Sequence, residues 1–212
     1  MLFRSANGIN AITIREGDCL LEAALTNGKS EMMLATRKGK VCRFPEEKVR
    51  PMGRNASGVI GIDLDDEGQD SNEVIGMICI QQPNANVLVV SEHGYGKRSE
   101  VEEYRITNRG GKGVKTINIT EKTGNLVGIK SVTDKDDLMI ITKNGIAIRL
   151  NVADLRLMGR ATQGVRLINI QDDDAIAAVT QVEREDDEAS ETIPNNLNSS
   201  TDLNNTPSDH ES

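Results

Sequence analysis

The 212-residue sequence predicts an all-β repeat protein, a partial propeller-like array of four-stranded blades followed by an acidic, disordered C-terminal tail. Three observations carry this. A unit of about fifty residues recurs roughly three and a half times. Within each unit, short runs of Val, Ile and Leu alternate with turns rich in Gly, Asn and Asp. Beyond residue 182 the apolar runs stop and acidic residues take over.

The repeat is visible without gaps over three stretches, GKVCRFPEEKVRPMGRNASG (39–58), GYGKRSEVEEYRITNRGGKG (94–113) and GIAIRLNVADLRLMGRATQG (145–164). Their end glycines are nineteen residues apart in each copy. Arginine occupies three columns: Arg43, Arg98 and Arg149; then Arg50, Arg105 and Arg156; then Arg54, Arg109 and Arg160. The opening RSANG supplies Arg4 and Gly8 of an earlier copy. From Gly8 the closing glycines step by 50, 55 and 51 residues to Gly58, Gly113 and Gly164. A fixed period of this length is the mark of a repeat architecture.

Each copy follows one grammar. After the closing glycine comes an alternating run, INAITI (9–14), VIGIDL (59–64), VKTINI (114–119) or VRLINI (165–170). An acidic or glycine-bearing turn follows, then an apolar run such as LLEAAL, VIGMICI, LVGIKSV or AIAAVTQV. A third run (MMLAT, VLVVS, LMIIT) enters a glycine turn, and the segment with the first arginine column makes a fourth. The runs are short and β-branched, which suits strands and not helices. Four strands per copy is the pattern of a blade. A β-sandwich is the plainer alternative, and constant spacing with repeated arginines argues against it. The absence of Trp excludes the WD signature, and kelch aromatics are missing too. The segments EEKVR, VEEYR and VADLR are open to a helical turn.

Composition narrows the setting. No apolar run is long enough to span a bilayer, and MLFRSANGIN lacks the core of a signal peptide. Cys19, Cys42 and Cys79 are odd in number and form no C-x-x-C pair, which suits a reducing, cytoplasmic setting. His93 and His210 alone build no metal motif. The net charge of −8 is unevenly divided. Residues 172–212 hold twelve acids and one arginine, a net −11, whereas residues 1–171 hold 24 basic against 21 acidic residues, a net +3. Residues 183–212 carry too little apolar surface to offset the entropy of ordering. An acidic tail beside a basic body is expected to compete with whatever polyanion the body binds.

Arginine recurring in every blade forms a stripe along one rim. For a single Arg, turn capping or pairing with Glu47 or Glu102 is an equally good reading. For the set, the loops RNASG, RGGKG and RATQG favour phosphate, because small residues let backbone N–H groups approach beside a bidentate guanidinium. Lys97, Lys112, Lys115 and Arg166 add charge nearby, as do Lys38 and Lys40, and Gly110, Gly111 and Gly113 lend the loop its backbone. Such a stripe suits duplex DNA laid on a curved surface. An aromatic content of 2% disfavours single-strand binding, and no base-reading module is recognisable, so binding is expected to tolerate sequence.

RGGKG (109–113), with its degenerate copies RNASG and RATQG, resembles the gyrase A box, and KVRPMGRNASGVIGI and LMGRATQGVRLINI resemble the C-terminal domain of bacterial DNA gyrase A subunits. The likeness covers nearly all of residues 1–182. It implies a β-pinwheel of about six blades that wraps DNA around its rim, partnered by the rest of the gyrase A subunit, together with the gyrase B subunit, in an A2B2 assembly. It also implies that ATP and Mg belong to other parts of that type IIA topoisomerase, with no cofactor held here. Thr107-Asn108-Arg109 stands where the full box has Gln-Arg-Arg, so residues 107–113 read as an echo and the full box is expected upstream. The chain opens inside a blade, as a piece of a longer subunit would.

No catalytic residue is expected. Tyr104 aligns with Val49 and Leu155, a core position, and Tyr95 sits in a glycine turn where other copies carry Lys40 and Ile146. GYGKRS lacks the spacing of a nucleotide loop. Two rival readings stand: the C-terminal domain of a topoisomerase IV A subunit, and a protein-binding propeller whose arginines meet an acidic partner.

Overall fold

A computed structural model describes residues 10–64, 72–171 and 173–184. Among these residues, eleven strands fall into three antiparallel sheets. They are β1 (Glu31–Thr36), β2 (Lys40–Pro45), β3 (Val74–Ile80), β4 (Asn86–Ser91), β5 (Tyr95–Glu100), β6 (Val114–Lys115), β7 (Leu126–Val132), β8 (Asp136–Thr142), β9 (Ala147–Asn151), β10 (Val165–Arg166) and β11 (Ile176–Glu183). The sheet orders are β3-β1-β2-β6, β10-β5-β4-β7 and β11-β8-β9.

One hairpin seeds each sheet: β1–β2, β4–β5 and β8–β9. Its turn contains a glycine with positive φ, Gly39, Gly94 or Gly145, a conformation that strains any side chain with a Cβ. A hydroxyl ends the first strand of each hairpin and ties the turn. Thr36 and Thr142 accept from the Lys40 and Ile146 N–H groups, and Ser91 donates to the Tyr95 carbonyl at 3.0 Å. The register then slips at the same place in each sheet, beside Thr36, Ser91 and Ile176.

The first run of each copy differs from the expected scheme. The run after each closing glycine does not open a new blade as a full strand. VKTINI and VRLINI pair over two residues only, and with the preceding copy: β6 with β2 (Lys40↔Lys115, Val41↔Val114) and β10 with β5 (Tyr95↔Arg166, Gly96↔Val165). Adjacent copies are therefore interlocked. Close approach requires glycine there, since a Cβ on Gly113 would meet the Val41 carbonyl oxygen at 2.7 Å and one on Gly164 the Gly96 oxygen at 2.6 Å. INAITI and LLEAAL, expected as strands, carry none over their described residues, and VIGIDL forms one bridge, Ile62 to Gly111. A strand exists only when a neighbour accepts from its N–H groups and donates to its C=O groups, and no described strand pairs with these runs.

Period-2 alternation sorts the core into layers. Val87 and Val89 of β4 face Met33, Ala35 and Val41 of the first sheet. Leu88 and Val90, on the opposite face, meet Leu138, Ile140 and Val152 of the third. Each such buried Val, Leu, Ile or Met side chain contributes about 1.5–3 kcal/mol. Met32, Cys42, Phe44 and Ile62 form a third cluster on the far face of the first sheet. EEKVR, VEEYR and VADLR hold 3-10 turns at Glu46–Lys48, Val101–Glu103 and Val152–Asp154. The expected boundary at residue 182 falls within β11, which runs to Glu183, and the expected disordered tail from 185 onward lies outside the described residues. Among the described residues no helix is long and apolar enough to cross a membrane.

Candidate nucleic-acid interface

The three arginine columns meet three different fates. The first is spent on partners within the fold. Arg43 donates from Nε to Glu31 at 2.7 Å and from Nη1 to the carbonyls of Val101 and Tyr104 at 2.6 and 2.9 Å. It thus clamps the 3-10 turn of the next copy. Arg98 is buried and paired with Asp134. Arg149 donates to Asp137 at 2.6 Å, and Arg184 reaches the other oxygen of that carboxylate at 3.3 Å. Burial pushes the Asp137 carboxyl up, but these two guanidinium bonds outweigh it and hold it below the usual range.

The third column is divided. Arg109 donates from Nη1 to the Ile60 carbonyl at 3.1 Å and from Nε to the Lys48 carbonyl at 3.0 Å. Arg160 repeats the first contact one copy later, on the Lys115 carbonyl at 2.8 Å. Ile60 and Lys115 occupy the same place in their copies, so this arginine buttresses the strand that interlocks with the preceding sheet. Arg54 is exposed and has no side-chain partner among the described residues. The expectation that the third column is purely a phosphate grip is corrected for two of its members.

Only the second column is free throughout. Arg50, Arg105 and Arg156 each follow the 3-10 turn by the same interval and are exposed. None makes a side-chain hydrogen bond or ion pair among the described residues. A concavity of about 320 Å³ sets Arg105 beside Asn108, Arg109, Gly110, Gly111 and Lys112. Gly110 and Gly113 have φ of +76° and +72°, so the loop turns with little side-chain bulk around its N–H groups. Lys112 and Lys115 are exposed at the same loop, and Lys115 Nζ lies 3.4 Å from Asn118 Oδ1.

Lys97 corrects a further expectation. It is 1% exposed, and its Nζ donates to the Gly159 carbonyl at 2.5 Å. Burial is the largest influence and lowers its ammonium to about 8, with Glu103 opposing. A buried amine bound to a loop carbonyl is out of reach of a phosphate. Burial removes Arg98 for the same reason.

One feature of the rim gave no signal in the repeat. Arg166 donates to the Tyr95 hydroxyl at 3.0 Å, and the Arg166 and Lys122 cations each lie 5.4 Å from the Tyr95 ring centre. The Arg166 bond is the main reason the phenol is lowered from its usual value. The equivalent residues are Lys40 and Ile146, so no column betrayed this contact of two cations with a buried tyrosine. Tyr104 is core, as its alignment implied: fully buried, with its hydroxyl 2.6 Å from Thr116 Oγ1.

Comparison with known proteins matches this architecture. The family described as DNA gyrase C-terminal domain, beta-propeller, matches residues 30–80, 85–133 and 136–183, one segment for each sheet. The DNA gyrase A subunit of Staphylococcus aureus strain MRSA252 is 47% identical over 186 residues, covering 87% of this chain and 20% of that protein. Its counterpart from strain NCTC 8325 is 46% identical over 187 residues, covering 87% of this chain and 21% of that protein. The chain thus spans about a fifth of the length of these relatives. A solved DNA gyrase A C-terminal domain superimposes with a TM-score of 0.74 at 23% identity, covering 82% of this chain and 58% of that one. The C-terminal domain of a DNA topoisomerase IV gives 0.73 at 21%, covering 80% and 52%. Matched in all three of its sheets, the chain belongs to the DNA gyrase C-terminal domain β-propeller family.

Proposed function

We propose that this chain binds and wraps duplex DNA along its basic rim, as the non-catalytic wrapping part of a gyrase A subunit that supports negative supercoiling. The observation that carries the reading is the second arginine column. Arg50, Arg105 and Arg156 have no side-chain partner among the described residues and stand at one position of three successive copies. Regularly spaced guanidinium groups match a regularly spaced phosphate backbone and carry no base-reading geometry, so binding tolerates sequence. The wider setting belongs to the same proposal: the rest of the gyrase A subunit, the gyrase B subunit in an A2B2 assembly, and the cytoplasm. A topoisomerase IV setting is the second reading, favoured by a superposition nearly as close as that with gyrase.

Two measurements test this. The logarithm of the duplex binding constant of the full chain should fall linearly with log salt, and the triple variant Arg50→Ala/Arg105→Ala/Arg156→Ala should shallow the slope by about 0.9 for each phosphate no longer neutralised. Religating a nicked circle on the protein should trap a change in linking number, which binding without wrapping does not produce. An unchanged slope in the folded triple variant would overturn the assignment. Preference for an acidic polypeptide over duplex DNA would support a protein-binding propeller instead.

A further inference from the structure

Two like charges converge on one tyrosine where the second and third copies interlock. Arg166 ends β10, which docks on β5 with Arg166 opposite Tyr95. Lys122 comes from another segment, the turn that follows VKTINI. Its Nζ and the Arg166 Cζ each lie 5.4 Å from the centre of the Tyr95 ring. Both cations are exposed, and neither forms an ion pair with a carboxylate among the described residues. Two cations drawn to one ring with no carboxylate between them repel each other, a cost that an incoming anion relieves.

Arg166 is fixed at two nitrogens. Nη2 donates to the Tyr95 hydroxyl and Nη1 to Asn169 Oδ1, both at 3.0 Å. These bonds use two of the five N–H donors of a guanidinium, and the others remain for a phosphate. The acidity of the phenol registers both cations. The Arg166 bond lowers it against the opposing effect of burial, and Lys122 lowers it further. Tyr95 is only 7% exposed, so its ring is closed to a stacking base and the cluster addresses the backbone.

The preceding junction repeats the plan with lysine. Lys115 stands where Arg166 does, its Nζ 3.4 Å from Oδ1 of Asn118, which matches Asn169 in the repeat. Across the strand pair from Lys115 is Lys40, in the place of Tyr95. Like charges directly opposite weaken a strand pair. Both junctions thus bring two cations together on the outer rung of the interlock. The second of them adjoins a loop of the arginine columns. Gln163 of RATQG donates to Thr120 Oγ1 at 3.2 Å, two residues before Lys122, and Asn118 N–H reaches the Thr162 carbonyl at 3.1 Å.

Building on the duplex-binding reading above, we propose that Lys122 and Arg166 clamp a backbone phosphate of duplex DNA at this junction, with the Tyr95 hydroxyl and Asn169 as positioning groups. Lys40 and Lys115 form the counterpart at the preceding junction. Phosphate contacts then fall between the copies as well as within them.

The chain's two tyrosines, Tyr95 and Tyr104, supply the probe. With the full chain labelled with carbon-13 at tyrosine Cζ, Tyr95→Phe assigns the two signals. Adding duplex DNA should move the Tyr95 signal and leave that of Tyr104, which is fully buried. Replacing Lys122 and Arg166 by Ala should shallow the salt slope by about 0.9 for each phosphate no longer neutralised, beyond the effect of the second-column variant. Tyr95→Phe should weaken binding about two- to tenfold, and should change nothing further once Arg166 is Ala, because the hydroxyl acts through that guanidinium. If duplex binds but the Tyr95 signal stays in place, the clamp is overturned and the second arginine column still stands. An unchanged slope in a Lys122/Arg166 variant with intact circular dichroism has the same meaning. A Tyr95→Phe loss that persists without Arg166 overturns the positioning role. A chain that binds no duplex overturns the clamp and the duplex-binding reading together.

Discussion

Arg43 Nη1 lies 2.9 Å from the carbonyl oxygen of Tyr104, a residue 61 positions later and one sheet further on. The same nitrogen holds the Val101 carbonyl, and Nε holds Glu31 of its own hairpin. An arginine that reads as a rim cation in the repeat is therefore a rivet between sheets. Arg43→Ala removes one donor from each of two carbonyls and a carboxylate, and should lower unfolding free energy by about 2–4 kcal/mol. Arg50→Ala, on the surface, should stay within about 0.5 kcal/mol of wild type. Urea unfolding of the two variants separates these roles, and equal stabilities would deny Arg43 its structural one.

The second and third columns should part company in the same way. Replacing Arg50, Arg105 and Arg156 by Ala should weaken duplex binding at unchanged stability. Replacing Arg54, Arg109 and Arg160 should weaken binding and also lower the unfolding midpoint, because Arg109 and Arg160 hold backbone carbonyls of the interlocking strand. A third-column variant as stable as the second-column one would show those bonds to be dispensable.

Glycine at the end of each box tests the interlock directly. Gly58 and Gly113 share a positive φ, +85° and +72°, so Ala costs about 1–2 kcal/mol of backbone strain at either. Only at Gly113 does the new Cβ also meet a backbone oxygen, that of Val41 at 2.7 Å. Gly113→Ala should therefore be clearly the more destabilising in thermal or urea unfolding. Equal losses would mean that the sheets separate there at little cost.

Lys97 makes stability depend on pH in an unusual direction. Its folded value of about 8 lies below the ordinary 10.5, so between these the unfolded chain binds more protons. Stability from this group must then rise with pH, starting near 8. Above 10, Tyr104 acts with the opposite sign, since burial raises its hydroxyl. Wild type should gain on Lys97→Met between pH 8 and 10, measured as the difference in urea midpoint. A flat difference across that window would falsify the assignment.

How far the sequence carried the fold can be judged from single elements. VLVVS and LMIIT read as strands and are strands, because period-2 burial and β-branching act locally. The glycines at 39, 94 and 145 marked their turns, because positive φ is a demand made at one residue. The run VKTINI misled for a reason outside itself. Its alternation is that of a strand, but pairing needs a partner edge, and that edge belongs to the preceding copy over two residues only.

The sequence alone determined the period, the hairpins, the glycine hinges and the family, all properties of local conformation repeated at a fixed interval. It also placed Tyr104 in the core by its column. Tertiary structure decided which arginine faces what. Arg43, Arg50 and Arg109 share one residue type and one box, but one is spent on a neighbouring 3-10 turn, one is free and one holds a strand. A guanidinium answers to the nearest unpaired carbonyl or carboxylate in space, and those partners arrive from some 50–60 residues away once the copies interlock. Spacing along the chain carries no record of that distance.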